Sequence, residues 1–280
     1  MTTILDGKKL SIKILDELAE QVALLEQKPT LTVILVGEDP ASELYVGLKK
    51  KAAEKLGIVS TILNYPQNTE EKVILDKIKE LNNDKTTDAI LVQLPLPEQI
   101  SEKKVIQAIS PKKDVDGFTP ENIGRISIGS EPYAYPCTPK GVLRLLDEYQ
   151  INLNGKHVVI VGRSNIVGKP LAQMILNRNA TVTICHSQTQ NLGEITKTAD
   201  ILISAVGKNK MIRNEMIKPD SVIVDVGTSK IDGKTYGDVD FENIYNSVSF
   251  ITPVPGGVGP MTIASLMGNV FELSQLNRDA

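Results

Sequence analysis

Apolar residues recur along this chain at two alternating periods. Over residues 8–27, Leu10, Ile14, Leu18, Val22 and Leu25 fall every three or four positions, the stripe of an amphipathic helix. TLTVILVG (30–37) is close to continuously apolar and ends in Gly37, which predicts a buried strand. A helix opened near Ser42 and closed by Gly57 follows, then a strand over 59–66 and a helix over 69–82. AILVQLPLP (89–97) reads as a strand stopped by Pro95 and Pro97. A short helix over 101–109 and the loop PKKDVDGF (111–118) come next.

The alternation starts again after residue 157, with strands predicted at 158–161, 181–184, 201–205, 222–226 and 249–252. Val158, Val159, Ile160 and Val161 are all β-branched, which suits a central strand. Strands alternating with helices build parallel layers, so the fold class is α/β in two domains, the second Rossmann-type. Between the two sets, Thr138 can N-cap a helix with Pro139 at its first position. The boundary is placed there, giving residues 1–138 plus 262–280 in one domain and 139–261 in the other. The final helix, over roughly 262–277, is expected to pack back on the first domain.

Within the second set, VVIVGRSNIVGKP (158–170) runs from strand through Gly162 and Gly168 into a helix carrying Leu171, Met174, Ile175 and Arg178. That layout points backbone N–H groups and a helix N-terminus at a phosphate. It is not a P-loop: five residues separate the glycines, and Lys169 is followed by Pro170, which has no hydroxyl for magnesium. The strict G-x-G-x-x-G pattern is absent too, so the glycine pair alone fits either a nucleotide site or a tight turn. The next strand, ATVTICHS (180–187), decides more. Where a NAD enzyme places an acid on the ribose hydroxyls, this chain has Cys185, His186 and Ser187. An acid there would repel a 2′-phosphate, whereas Arg163 and Ser187 could hold one, which favours NADP over NAD.

Composition narrows the partners. A net charge of −3 gives no nucleic-acid footprint and no basic membrane face. No apolar run approaches the roughly 20 residues of a membrane helix. Cys137 and Cys185 form no C-x-x-C, and two thiols suit a reducing, cytoplasmic compartment. His157 and His186 have no ligand-spaced neighbours, so they read as structural and no metal is assigned.

In the first domain, the rule that ligands bind beyond the carboxyl ends of parallel strands selects Gln93 and the Gly37–Ser42 turn. Ser42, Tyr45, Lys49, Ala52 and Leu56 then share one helix face. Two readings stay open: a lysine stem lying along a solvated face with Tyr45 in the core, or a polar pair at the crevice. Asp114 and Asp116 could accept paired N–H bonds from an aminopyrimidine edge, or they could simply form the Asp-Gly turn at 116–117. TPVPGGVGPMT (252–262) is either a plain loop or a place where bare backbone approaches a flat ligand.

Taken together, SELYVGLKKKA (42–52), ILVQLPLP (90–97), KDVDGF (113–118), PCTPKG (136–141), VGRSNIVGKP (161–170) and ITPVPGGVGPMT (251–262) resemble the bifunctional methylenetetrahydrofolate dehydrogenase/cyclohydrolase family. The resemblance covers essentially the whole chain. It implies NADP-dependent oxidation of 5,10-methylenetetrahydrofolate to the 5,10-methenyl form, then hydrolysis to 10-formyltetrahydrofolate, a one-carbon donor for purine biosynthesis. By the same resemblance Lys49 is the catalytic lysine, Tyr45 the tyrosine beside it, Gln93 its glutamine partner and Asp116 the pterin-binding carboxylate. Pro255, Gly256 and Gly257 would border the substrate. Gly162, Arg163, Ser164, Ile166, Val167, Gly168, Ser187 and Thr228 would hold NADP. Thr228 departs from the aliphatic residue expected there, which bears on cofactor affinity. The resemblance also implies a homodimer and a reduced folate substrate with a polyglutamate tail. Two rivals remain. A shikimate-type dehydrogenase also pairs Lys with Asp but lacks the QLPLP and PGGVGP blocks. A non-catalytic NADP-binding regulator would have no need of Lys49, Gln93 and Asp116.

Overall fold

Strand β1 (Thr3–Ile4) and helix α1 (Gly7–Ala23) open the chain in the computed structural model, which describes residues 1–278 apart from the side chain of Ala41. The predicted stripe of α1 is buried at Leu10, Ile14, Leu18 and Val22. The helix ends before Leu25 because Lys28 Nζ donates to the carbonyls of Val22, Ala23 and Leu25 and satisfies the last turn. Next come β2 (Thr30–Val36), α2 (Pro40–Leu56), β3 (Val59–Tyr65), α3 (Glu71–Asn83), β4 (Ala89–Val92), α4 (Glu102–Ala108) and α5 (Pro120–Ser127). α2 starts two residues before Ser42. Asp39 is its N-cap, accepting from Ser42 N at 2.8 Å, and Pro40 takes the first turn, where its missing N–H costs nothing. α5 has no counterpart in the predicted elements.

β2, β3 and β4 form a parallel sheet in the order β3-β2-β4. The period of two in β2 and β4 divides their side chains between two cores. Leu31, Val33, Leu35, Ala89 and Leu91 pack with Leu18 and Val22 of α1 and Val46, Ala53 and Leu56 of α2. Ile34, Val36, Ile90 and Val92 pack with Ile74 and Ile78 of α3 and Val105 of α4. A one-residue slip of β2 would exchange the two sets.

The remainder runs α6 (Cys137–Glu148), β5 (His157–Val161), α7 (Gly168–Leu176), β6 (Thr181–Cys185), α8 (Leu192–Thr196), β7 (Ile201–Ser204), β8 (Val222–Asp225), the hairpin β9 (Ser229–Ile231) and β10 (Lys234–Tyr236), α9 (Phe241–Ile244), β11 (Phe250–Ile251) and α10 (Val258–Arg278). α6 begins one residue before Thr138. The Thr138 hydroxyl pairs with Thr262 Oγ1 at 3.1 Å, so it does not serve as the expected cap. A six-stranded parallel sheet forms in the order β1-β11-β8-β7-β5-β6. Val159, Val161, Leu202, Ile223 and Ile251 build one of its cores.

The chain divides into two units. The three-stranded unit comprises Lys13–Cys137 and the segment from Ile263 on; the six-stranded unit comprises Met1–Ile12 and Thr138–Thr262. The chain passes from one unit to the other at residues 137–138, and the first twelve residues lie with the six-stranded unit. The reason is β1, too short to read from periodicity, which pairs in parallel with β11. Leu266, Met267, Val270 and Leu273 of α10 join the core of the three-stranded unit, as the sequence implied for the last helix. Among the described residues, no helix is long and apolar enough to cross a membrane.

Candidate active site

In the three-stranded unit the structure brings Lys49 and Gln93 together. Gln93 follows β4 and continues its ladder, its N–H donating to Ile34 O at 2.9 Å. Lys49 Nζ donates to Gln93 Oε1 at 3.0 Å, while Gln93 Nε2 donates to Leu94 O at 2.7 Å. The second bond settles which end of the amide faces the lysine. Tyr45 stands one turn before Lys49 on α2 and is 44% exposed, so the reading that buries it in the core fails. The buried face of α2 is Ser42, Val46, Ala53 and Leu56, which leaves Tyr45 and Lys49 beside the core-facing stripe.

The two aspartates of KDVDGF separate cleanly. Asp114 is buried and committed to the turn. Its Oδ1 accepts from Gly117 N at 3.0 Å, and its Oδ2 accepts from Thr119 N at 2.7 Å and Asn122 Nδ2 at 3.0 Å. Asp116 is half-buried, and burial pushes its carboxyl above the ordinary carboxylate value. The nearby Lys49 ammonium pulls it down, Asp114 pushes it up, and a hydrogen bond from the Cys137 thiol lowers it. Asn269 of α10, 0% exposed, donates through Nδ2 to Val115 O and Tyr135 O, each at 2.8 Å, and so ties this loop to the segment before α6. Sequence reading missed Asn269. Its only signal is a carboxamide inside an otherwise apolar helical stripe.

In the six-stranded unit the glycine turn is packed too closely for any side chain at either glycine. A Cβ on Gly168 would lie 2.1 Å from Gly162 O, and one on Gly162, where φ is +131°, would lie 2.5 Å from Ala205 O. The start of α7 does not offer the open N–H groups expected of it. Ser164 Oγ accepts from Val167 N at 3.1 Å and Gly168 N at 3.4 Å, Ser164 O accepts from Lys169 N at 3.1 Å, and Pro170 has no N–H. The exposed stretch is the loop itself, Arg163, Ser164, Asn165 and Ile166, with Val167 half-buried. Ser187 is exposed just past β6. Val161 is paired with Cys185, and Gly162 N donates to Cys185 O at 2.8 Å, so the loops bearing Arg163 and Ser187 leave the sheet side by side. Thr228 is exposed beyond β8.

Pro255, Gly256 and Gly257 lie between β11 and α10, with Pro255 exposed and Gly257 buried. Lys8 N donates to Gly256 O at 2.8 Å, and a Cβ on Gly7 would lie 1.9 Å from Gly257 O. The loop is therefore held against the start of α1 by a glycine some 250 residues away, a dependence the sequence did not signal. Both histidines are absorbed by the scaffold: His157 Nε2 lies 2.9 Å from Thr183 Oγ1, and His186 Nδ1 accepts from Gln188 N at 3.2 Å.

A parallel sheet with a glycine turn after β5, and a second α/β unit carrying a lysine–amide pair beside a carboxylate, defines a two-unit dehydrogenase class. Two family models match successive stretches of the chain and part close to residue 138, although residues 5–12 and 263–278 fall in the other unit of the structure. Residues 5–116 match the tetrahydrofolate dehydrogenase/cyclohydrolase catalytic domain, and residues 136–278 match the NAD(P)-binding domain of the same family. The chain belongs to the tetrahydrofolate dehydrogenase/cyclohydrolase family. It is 54% identical over 275 residues to the bifunctional protein FolD of Halalkalibacterium halodurans, covering 97% of this chain and 98% of that one. The crystal structure of the Campylobacter jejuni bifunctional enzyme FolD superposes with a TM-score of 0.97 at 46% identity, covering 99% of each chain. The Trypanosoma brucei enzyme, solved with NADP and an inhibitor, superposes with a TM-score of 0.95 at 36% identity, covering 100% of this chain and 99% of that one.

Proposed function

We propose that this chain oxidises 5,10-methylenetetrahydrofolate with NADP⁺ and hydrolyses the resulting 5,10-methenyl cation to 10-formyltetrahydrofolate. The observation that carries the reading is the Lys49–Gln93 pair, with the amide oriented by Leu94 O and the Asp116 carboxyl close enough to feel the ammonium.

The methylene carbon is flanked by two nitrogens that stabilise the cation left by hydride loss, so the protein's part in oxidation is orientation. NADP⁺, when bound, supplies the hydride acceptor. Arg163 and Ser187 fit its 2′-phosphate because their loops start side by side with no carboxylate at the end of β6. Ser164, whose hydroxyl oxygen already accepts from the backbone, keeps its own proton to donate to a phosphate oxygen. Gly162, Ile166, Val167, Gly168 and Thr228 complete the cofactor set.

Hydration makes a different demand. Water must lose a proton as it attacks, and a ring nitrogen must gain one as the bond opens. An amine serves both steps if it can cycle between its charged and neutral forms. Lys49 fills that role, with Gln93 accepting its N–H bond and Tyr45 standing one turn away. Asp116 accepts the aminopyrimidine edge of the pterin, and Pro255, Gly256 and Gly257 border the substrate. We read the enzyme as a cytoplasmic homodimer acting on reduced, polyglutamylated folates and supplying formyl groups to purine biosynthesis. Cys137 and Cys185 are buried thiols outside any disulfide, which fits the reducing compartment.

The test is a spectrophotometric assay on 5,10-methylenetetrahydrofolate with NADP⁺ or NAD⁺, following methenyl and formyl products separately in the wild type and in Lys49→Ala. NADPH should form with the wild type, and methenyl product should accumulate in the folded variant. Hydration at the wild-type rate in Lys49→Ala would overturn the lysine's role, and no turnover by the wild type with either cofactor would overturn the reading.

A further inference from the structure

Beyond the strand ends of the six-stranded sheet lies a buried carboxylate that none of the roles above uses. Asp238 is 0% exposed and sits two residues after β10 in GDVDF (237–241). Its Oδ2 accepts from Ser204 Oγ and from Val206 N, each at 2.8 Å, and its Oδ1 accepts from Lys208 N at 2.7 Å. The turn after β7 is thus wrapped around one carboxylate, as such turns wrap a bound anion, but this anion belongs to the protein. Gly207, with φ of +67°, lets the two flanking N–H groups converge on it.

The carboxylate is itself held. Asp238 N donates to Asp225 Oδ1 at 3.0 Å, Val239 N donates to Asp225 Oδ2 at 2.9 Å, and Asp225 N donates to Thr252 Oγ1 at 2.7 Å. Two glycines make room for the two acids in a reciprocal way. A Cβ on Gly227 would lie 2.1 Å from the Asp238 carboxylate, and a Cβ on Gly237 would lie 2.0 Å from Asp225 Oδ2. The turn they fix touches both neighbours at the carboxyl edge of the sheet. Ala205 O is the atom a Gly162 Cβ would strike, and Thr228 O lies 3.4 Å from where a Gly207 Cβ would be.

We propose that Asp238 is a positioning residue for the dinucleotide: it sets the turn after β7 against the Gly162 turn and the Thr228 loop. The proposal rests on reading that edge as the NADP site. Asp238 touches no ligand itself and acts through backbone N–H groups. Its side-chain bonds go to Ser204 at the end of β7 and to the turn just beyond it, so its loss should distort the turn before it unfolds the sheet.

Asp238→Asn is the first test. An amide offers one acceptor oxygen, and whichever way it flips its NH₂ faces a backbone N–H, at Val206 or at Lys208. One donor is left unpaired, and the cost of that should appear as a loss in NADPH binding of about tenfold to a hundredfold. Ser204→Ala removes a single side-chain donor and should give a smaller loss in the same direction. NADPH binding is read by fluorescence, dehydrogenase turnover as KM for NADP⁺ apart from kcat, and hydration on methenyltetrahydrofolate supplied directly. The expected result is a raised NADPH Kd and KM with hydration within about twofold of the wild type, a difference too small to register as one lost hydrogen bond. Unchanged NADPH binding in a folded Asp238→Asn, or hydration and dehydrogenase rates falling together in both variants, would overturn the proposal. If Asp238→Asn does not fold, Ser204→Ala decides alone by the same readouts. A wild type that binds NADPH but turns over no folate would sink the functional reading and leave the binding test of Asp238 standing.

Discussion

Lys49 Nζ donates to Gln93 Oε1 at 3.0 Å while the other end of that amide is held by Leu94 O at 2.7 Å. The lysine therefore faces a neutral acceptor that cannot turn a donor toward it without breaking a second bond. Gln93→Glu would put a carboxylate in that place, and an ion pair would hold the proton on the amine. Hydration should fall by about a hundredfold or more, the usual weight of one general acid–base group, with dehydrogenase activity reduced much less. Stopped-flow measurement of methenyl decay checks this. Decay at the wild-type rate would remove Gln93 from the mechanism.

Asp114 and Asp116 are separated by one residue and should fail differently. Asp114→Asn unpairs one of three donors in a buried turn and should cost about 1–3 kcal/mol of stability. Asp116→Asn removes a carboxyl that burial already disfavours as an anion, so the urea midpoint should hold or rise. Its damage should appear in KM for the folate, by about tenfold, for loss of a charge-assisted bond. Urea unfolding and steady-state kinetics on both variants separate the roles. The reverse pattern would mean that the pterin carboxylate is Asp114.

Arg163 is the cation on the exposed loop after β5. Arg163→Ala should raise KM for NADP⁺ by about tenfold to a hundredfold and leave turnover with NAD⁺ unchanged, because only NADP⁺ carries the 2′-phosphate. Equal loss with both cofactors would move the phosphate contact elsewhere.

Much of this was legible in the sequence because burial left a plain mark. β2 and β5 are buried at nearly every position, so their apolar runs are unbroken, and α1 shows its i, i+4 stripe. Gln93 at a strand end and Lys49 on a helix face were singled out by position, and the structure brings those two side chains into one hydrogen bond. What escaped depends on long-range pairing. β1 is two residues long and gains its partner from β11, nearly 250 positions away. The Asn269 bonds and the Gly7–Gly257 approach join distant segments through single atoms. Ser164 occupying the N–H groups at the start of α7 is local, yet a Ser in a glycine turn reads equally well as a ligand contact or as a cap.

Asp225 and Asp84 respond to pH in opposite senses. Burial is the main cause that lifts Asp225 to about 7 from an unfolded value of 3.8. The N–H groups of Asp238, Val239 and Gly227 oppose it, while Asp238's own charge adds to it. A carboxyl whose folded value is raised binds more protons folded than unfolded between those limits, so stability falls as pH rises from about 4 and the cost is complete above about 7. Asp84, held by the hydroxyls of Thr87 and Thr86 and by Thr86 N, is lowered to about 2. Its contribution is present above 3.8 and is lost as pH falls toward about 2. Asp225→Asn does not titrate and loses one acceptor, so it should be less stable than the wild type at pH 5.5, with the gap narrowing by pH 8. Calorimetry of both proteins, with hydrogen exchange at the Asp238 and Val239 amides to localise the change, reads the difference. A gap that stays constant or widens with pH would mean that Asp225 is ionised throughout, with its N–H donors outweighing burial.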